Sequence, residues 1–300
     1  MILFASETYA ATAAALRSAI AQLQLGRFHV ARFENGELHL AVETPSTNEH
    51  CVVLGSIAPP DQQLLSTLLL AHTLKKEGAS KVTAVLPYLG YARHDKDKPG
   101  QSLTTAWVGS LVKASGCDQV ITVDVHSEET KRLFPVPVVS LSSAGVFAEA
   151  IAHYGLARAT VVAPDEGAIG RCEAVKTAAG MAPGKVPYFE KHRTEAGIIH
   201  AGPIGEVGGQ AVIVDDILDT GGTLVSACEK LSTAGVDEIN VMVTHGLFTG
   251  TRWMDLFRFG VKRIFCTDSV PLSVGVDGDG IVRLSIIPLL AKELIAIDKK

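Results

Sequence analysis

Short apolar runs alternate along the chain with longer segments in which apolar residues return every three or four positions. The short runs read as strands buried on both faces, the longer segments as amphipathic helices. Strands are expected at 1–5, 51–55, 82–86, 120–125, 160–163, 197–200, 211–214, 239–243, 263–266 and 282–287. Helices are expected at 9–25, 103–115, 145–154, 169–179, 224–234 and 251–259. Pro59-Pro60 and Asp61 open another helix through Leu64, Leu65, Leu68, Leu69 and Leu74, closing at Gly78. Segments 30–33 and 37–43 flank Glu34-Asn35-Gly36 and predict a hairpin. The alternation makes the chain α/β with mainly parallel sheets.

The pattern also repeats. Residues 51–55, a helix ending at Gly78, then 82–86 and Gly90 line up with 212–216, a helix ending at Gly235, then 239–243 and Gly246. Trp107 heads a helix that leads to Asp124, and Trp253 one that leads to Asp268. Two similar halves follow, an N-terminal domain at 1–143 and a C-terminal one at 144–300, related by internal duplication.

The halves differ at one stretch. Ala211-Val-Ile-Val214 runs into Asp215 and Asp216, then Asp219, Thr220-Gly221-Gly222-Thr223 and a helical run. Backbone N–H groups at such a helix-opening turn, with two threonine hydroxyls, can surround a phosphate. The acids stand at the carboxyl end of a strand, where open α/β sheets bind ligands. Carboxylates repel a phosphate, so beside one they suit sugar hydroxyls or Mg²⁺.

Composition narrows the class. The 300 residues are 47% hydrophobic and 20% charged, enough apolar material for full cores. A net charge of −5 argues against a nucleic-acid partner. Five cysteines without a C-x-x-C pair suggest reduced thiols and no zinc site. No apolar run approaches a membrane span, and the first residues lack the basic lead of a secretory signal, so a cytoplasmic location is expected.

Other candidates lie at strand ends. His126 follows a buried strand and Asp165 another; either could serve a metal, and Asp165 could equally cap the next helix. Lys191 and Arg193 share a face if extended, which suits a triphosphate, although a solvated basic strand end looks the same. Arg93 follows two tyrosines and leads into a charged, Gly/Pro-bounded tail that reads as a mobile surface loop. His245 ends the strand beside the phosphate turn. Gly180–Val186 departs from a P-loop in spacing, and Asp277-Gly-Asp279-Gly280 lacks the closing glutamate of a calcium loop.

The acid pair with Thr220-Gly-Gly-Thr223 resembles the phosphoribosyl-diphosphate loop of type I phosphoribosyltransferases. Phe33-Glu-Asn35-Gly36-Glu37, Pro87-Tyr-Leu-Gly-Tyr-Ala-Arg93, Val123-Asp-Val-His126, Ala163-Pro-Asp165, Lys191-His-Arg193, Thr244-His-Gly-Leu-Phe248 and Thr267-Asp-Ser-Val-Pro-Leu272 extend the likeness over nearly the whole chain. Together they are similar to the ribose-phosphate diphosphokinase family. That resemblance implies two phosphoribosyltransferase-like domains with the active site between them. It implies transfer of the diphosphoryl group of Mg-ATP to the 1-hydroxyl of ribose 5-phosphate, releasing AMP. By position, Phe33, Asn35, Gly36 and Glu37 would lie at the adenine, reaching in from a neighbouring subunit of a homo-oligomer, dimer-based or hexameric. Arg93 and His94 would touch ATP, and His126 and Asp165 would serve Mg²⁺. Lys191 and Arg193 would be catalytic, and Arg193, Asp215, Asp216, Asp219, Thr220, Gly221, Gly222 and Thr223 would hold ribose 5-phosphate. His94 stands where Gln is usual. The segment 95–104 is shorter than in phosphate-activated members and closer to archaeal-type forms, which leaves allosteric control open. A phosphoribosyltransferase, or a non-catalytic regulatory subunit of this fold, is the alternative; a repressor would need a helix-turn-helix that the sequence lacks.

Overall fold

The structure is a computed structural model. It describes residues 1–194, 197–271, 276, 278 and 280–299, with the side chains of 191–200 outside the description. The chain divides into two compact units, one of Met1–Leu141 with Ile287–Lys300, the other of Ser142–Ile286.

The first unit begins with β1 (Ile2–Ala5), a 3₁₀ turn (Glu7–Tyr9), α1 (Ala10–Ala19) and β2 (Gln24–Leu25). The hairpin strands β3 (Phe28–Arg32) and β4 (Leu38–Val42) follow. Then come β5 (His50–Leu54), α2 (Asp61–Lys76), β6 (Lys81–Val85), α3 (Thr104–Ala114), β7 (Gln119–Val123), α4 (Glu128–Leu133) and β8 (Val138–Leu141). Six strands form a parallel sheet in the order β2-β1-β5-β6-β7-β8. Val82, Ala84, Cys51 and Val53 are buried because helices cover the sheet, as the continuous apolar runs require. The β3–β4 hairpin stands apart as its own antiparallel pair.

The second unit contains α5 (Ala144–His153), β9 (Thr160–Val162), a 3₁₀ turn (Glu166–Ala168), α6 (Ile169–Ala178), β10 (Tyr188–Thr194) and β11 (Gly197–Ile204). It continues with β12 (Gln210–Leu218), α7 (Gly222–Thr233), β13 (Glu238–Gly246), a 3₁₀ turn (Arg252–Met254), α8 (Asp255–Arg258), β14 (Val261–Thr267) and β15 (Ile281–Leu284). Its five-stranded parallel sheet runs β15-β14-β13-β12-β9, so the strand carrying the acid pair lies inside the sheet. An antiparallel β10–β11 hairpin packs against α7. The α/β class with mainly parallel sheets is therefore observed in both units.

Three expectations change. The last helix, α9 (Ile287–Asp298), was expected in the 144–300 domain, but it packs on α1 in the first unit. Its Leu290 and Leu294 are buried, and Asp298 lies 3.6 Å from the N-terminal ammonium of Met1. The helix expected over 9–25 ends at Ala19 because the chain turns to pair Gln24 and Leu25 with β1. Gly26 then passes so close to the Phe4 ring that a Cβ there would lie 2.3 Å from it. The tail after Arg93 is fixed at its start rather than loose, as described below.

No helix among the described residues is long and apolar enough to cross a membrane. All five cysteines are free and buried. Burial pushes the Cys51 thiol up to about 11 and that of Cys266 to about 12, and it raises those of Cys117, Cys172 and Cys228. A disulfide-exchange reagent at pH 8 is expected to count fewer than one reactive thiol per native chain and all five after denaturation. Prompt labelling of two or more in the native protein would contradict this burial.

Candidate active site

In the second unit the site is built on the end of β12. Ala211, Val212, Ile213 and Val214 are buried. β9 pairs with β12 only as far as Ile213↔Val162, whereas β13 follows it to Leu218↔Gly246. Beyond Val162 the space beside β12 is filled by the 3₁₀ turn after Asp165 and by α6. Asp215 and Asp216 stand in this stretch, and Asp216 is 6% exposed.

Adjacent carboxylates in such a place need a counter-charge. Arg171, near the start of α6, supplies it: Nη1 is 3.7 Å from Asp215 Oδ1, and Nη2 is 3.7 Å from Asp216 Oδ2. The neighbouring Cys172 thiol points at the carbonyls of Val162 and Val214, which seats this turn of α6 on both strands. Burial, then the charge of Asp216, raises the Asp215 carboxyl well above its ordinary value, and Arg171 opposes the shift. The folded state thus holds that proton to a higher pH than the unfolded chain. The site consequently costs stability as pH rises out of the acid range, and Arg171 limits the cost.

The turn that follows is shaped by close approach. Gly221 has φ +85° and caps α7, and a Cβ on it would lie 2.8 Å from the Trp253 Cα. Trp253 is buried, stacks edge-on with Phe248 at 4.9 Å and donates from Nε1 to the Gly250 carbonyl at 3.0 Å. A Cβ on Gly222 would lie 3.5 Å from Arg252 Nη1, so a cation stands beside the opening of α7. Asp219, Thr223 and Gly222 are half-buried, and Thr220 is exposed. The backbone carbonyl of Asp219 accepts from Thr249 N at 3.1 Å. This is the strand, turn and helix N-terminus that the sequence implied.

Asp165 occupies the cap position of its 3₁₀ turn without a side-chain capping bond. Its charge contributes to the raised Asp215 carboxyl. The chain at Tyr188 bridges to Ala163, so β10 starts beside the end of β9. Lys191 pairs with His200 and Arg193 with Ile198, after a register shift between Phe189 and Lys191. Their backbones lie two apart on one strand; their side chains lie outside the described residues. Thr267 and Ser269 hydroxyls donate to the Thr244 carbonyl at 2.6 and 2.9 Å, and the Ser269 oxygen lies 2.9 Å from His245 Nδ1. His245 is 2% exposed and is a wall of the β13 end. Asp277 and Asp279 lie outside the described residues.

In the first unit, Phe33, Asn35, Gly36 and Glu37 form the exposed tip of the β3–β4 hairpin. Gly36 has φ +90°, and Asn35 Oδ1 accepts from Glu37 N at 3.1 Å. Arg93 and His94 follow β6, and His126 follows β7; all three are exposed at the carboxyl ends of neighbouring strands. Arg93 does not begin a loose loop. The Thr105 hydroxyl reaches the carbonyls of Tyr91 and His94 at 3.1 and 2.9 Å, and Asp95 is buried.

Among the described residues no three metal-ligating side chains converge. Mg²⁺ does not require that: it takes one or two carboxylates and completes its shell with phosphate oxygens and water. Asp165 offers carboxylate oxygens just past the end of β9, near enough to Asp215 for its charge to be felt there, and one carboxylate of this kind fits such an ion. His126 offers nitrogen, which suits Mg²⁺ less directly.

Residues 1–116 match the family model described as the N-terminal domain of ribose phosphate pyrophosphokinase, and residues 190–299 the one described as the phosphoribosyl synthetase-associated domain. A ribose-phosphate pyrophosphokinase of Methanothermobacter thermautotrophicus is 32% identical over 263 residues, covering 87% of this chain and 88% of its own. The chain belongs to the ribose-phosphate pyrophosphokinase family. A Vibrio parahaemolyticus ribose-phosphate pyrophosphokinase is 30% identical over 284 residues, 93% of this chain and 90% of its own. The crystal structure of phosphoribosylpyrophosphate synthetase from Mycobacterium smegmatis matches with a TM-score of 0.89 at 26% identity, covering 99% of this chain and 98% of that one.

For this pyrophosphokinase-family chain the sequence reading missed Arg171 and Arg252. Neither sits in a motif that names it; each is revealed by what it stands beside. Arg171→Met is expected to raise the Asp215 carboxyl further, followed by carboxyl-carbon NMR, and Arg171→Lys to restore most of the difference. An unchanged titration in the Met variant would remove Arg171 from this role. Gly221→Ala places a Cβ against backbone at a left-handed φ and is expected to cost about 2 kcal/mol in chemical unfolding.

Proposed function

We propose that the chain transfers the diphosphoryl group of Mg-ATP to the 1-hydroxyl of ribose 5-phosphate, forming 5-phosphoribosyl 1-diphosphate and AMP. The observation that carries this reading is the end of β12: an acid pair balanced by Arg171, then a glycine turn opening α7, in a chain of this family. The helix opening and the hydroxyls of Thr220 and Thr223 take the 5-phosphate, while the carboxylates take the sugar hydroxyls. Asp215, Asp216, Asp219, Gly221, Gly222 and Arg193 belong to this subsite. Arg93 and His94 serve ATP. The exposed tip at Phe33, Asn35, Gly36 and Glu37 serves the adenine in a neighbouring subunit of a homo-oligomer.

The 1-hydroxyl oxygen attacks the β-phosphorus, the bond from that phosphorus to the α–β bridging oxygen breaks, and AMP leaves with that oxygen. The hydroxyl proton goes to solvent. Such a displacement needs alignment and charge neutralisation more than covalent catalysis. Lys191 and Arg193 supply cations for the group in flight. Asp165 and His126 are the residues that would serve Mg²⁺, which when bound would supply neutralisation of polyphosphate oxygens. A phosphoribosyltransferase would consume the activated sugar; relatives that match across both units favour synthesis.

AMP is expected to appear from ATP only when ribose 5-phosphate is present, one for each 5-phosphoribosyl 1-diphosphate made. ADP as the product, or no turnover with Mg²⁺, would sink the reading. Lys191→Ala is expected to lower kcat about 10²–10⁴-fold with both KM values little changed. Retention of the parent kcat would remove Lys191 from catalysis.

A further inference from the structure

Asp95 is the one buried charged residue of the first unit among the described residues, 9% exposed, two positions after Arg93. A buried carboxylate is costly and can accept several hydrogen bonds. Its hydrogen-bond partner among the described residues is a single neutral group, the Ser127 hydroxyl, which donates to Oδ2. Ser127 follows His126 directly and caps α4, its oxygen accepting from Thr130 N at 3.1 Å. The buried Thr130 hydroxyl donates to the Ala92 carbonyl at 3.4 Å. From the other side, Thr105 N and its hydroxyl bind the His94 carbonyl at 3.3 and 2.9 Å. Segment 91–95 is therefore gripped between the first turns of α3 and α4.

Two separate strand-to-helix connections are joined here. One carries Arg93 and His94, the other His126, and a side-chain bond between them runs from Ser127 to Asp95. A side-chain bond that fixes only the local fold could be an apolar contact at less cost. We infer that Asp95 and Ser127 are a positioning pair that sets the Arg93–His94 segment against the His126 turn, so that both meet one polyphosphate in register. This rests on the reading of Arg93, His94 and His126 as groups serving Mg-ATP. Neither Asp95 nor Ser127 needs to touch the nucleotide.

The test uses the full chain and four variants, Ser127→Ala, Asp95→Ala, Ser127→Thr and the Ser127→Ala/Asp95→Ala double. Ser127→Ala and Asp95→Ala are each expected to raise KM for ATP about fivefold or more, with KM for ribose 5-phosphate within about twofold. The double variant is expected to be no worse than the poorer single, because both remove one bond. Ser127→Thr keeps the hydroxyl and is expected to restore the parent KM for ATP. Ser127→Ala with an unchanged KM for ATP overturns the proposal. So does a variant in which both KM values rise together with a fall in Tm, since that marks a merely structural bond. If the parent protein makes no AMP, the functional reading fails by itself. Amide exchange then tests the pair separately: Ser127→Ala should speed exchange at 92–95 and 126–127, and equal rates would overturn it.

Discussion

Arg171 faces the two carboxylates near the end of β12, and their presence inside the sheet depends on it. Burial alone would protonate one acid or force the strand to end earlier. A guanidinium is always charged and spreads its donors over a plane, so one side chain can face both acids at 3.7 Å. Its place follows from the sheet. β9 stops short, α6 fills the gap, and Cys172 fixes the turn of α6 to the carbonyls of both strands. The glycine turn then needs no charge of its own, only space for the backbone at Trp253.

The first unit repeats the architecture without this device. The turn after β5 carries Ser56 and a proline pair where the turn after β12 carries Asp219 and two glycines. The Thr67 hydroxyl donates to the Ser56 carbonyl, which closes that turn on α2. Gly90 passes so near Ala58 that a Cβ would lie 2.7 Å from its Cα, just as Gly246 leaves no room beside Phe248 and Cys266. One scaffold thus supports an open glycine turn in one copy and a closed corner in the other. What remains open in the first copy is the pair of connections after β6 and β7, and these carry Arg93, His94 and His126.

The features legible in the sequence were those whose cause is local. The β12 stretch is apolar up to its acids, and Gly221 announces a left-handed turn, so strand, turn and helix could be read together. Asn35-Gly36 marked its hairpin for the same reason. Features with distant causes were hidden. Arg171 meets acids more than forty positions away, and nothing beside it in the chain signals them. Lys96, Asp97 and Lys98 are exposed as their charges suggested, but the fixing of the segment up to Asp95 was hidden because the hydroxyls that hold it, at Thr105, Ser127 and Thr130, belong to other helices. The helix expected to run to residue 25 stopped at Ala19 for a partner strand at the very start of the chain. Most of the assigned site residues came from the family likeness, not from periodicity.

The docking of α9 on α1 has a consequence for the order of assembly. A ribosome delivers Ser142–Ile286 as one unbroken length, so that unit can close as soon as it emerges. The other unit is begun first but lacks Leu290 and Leu294 until the last helix is made. During synthesis the earlier-made half lacks its closing helix until the later half has been made, and the α1 face that receives it stays uncovered until then.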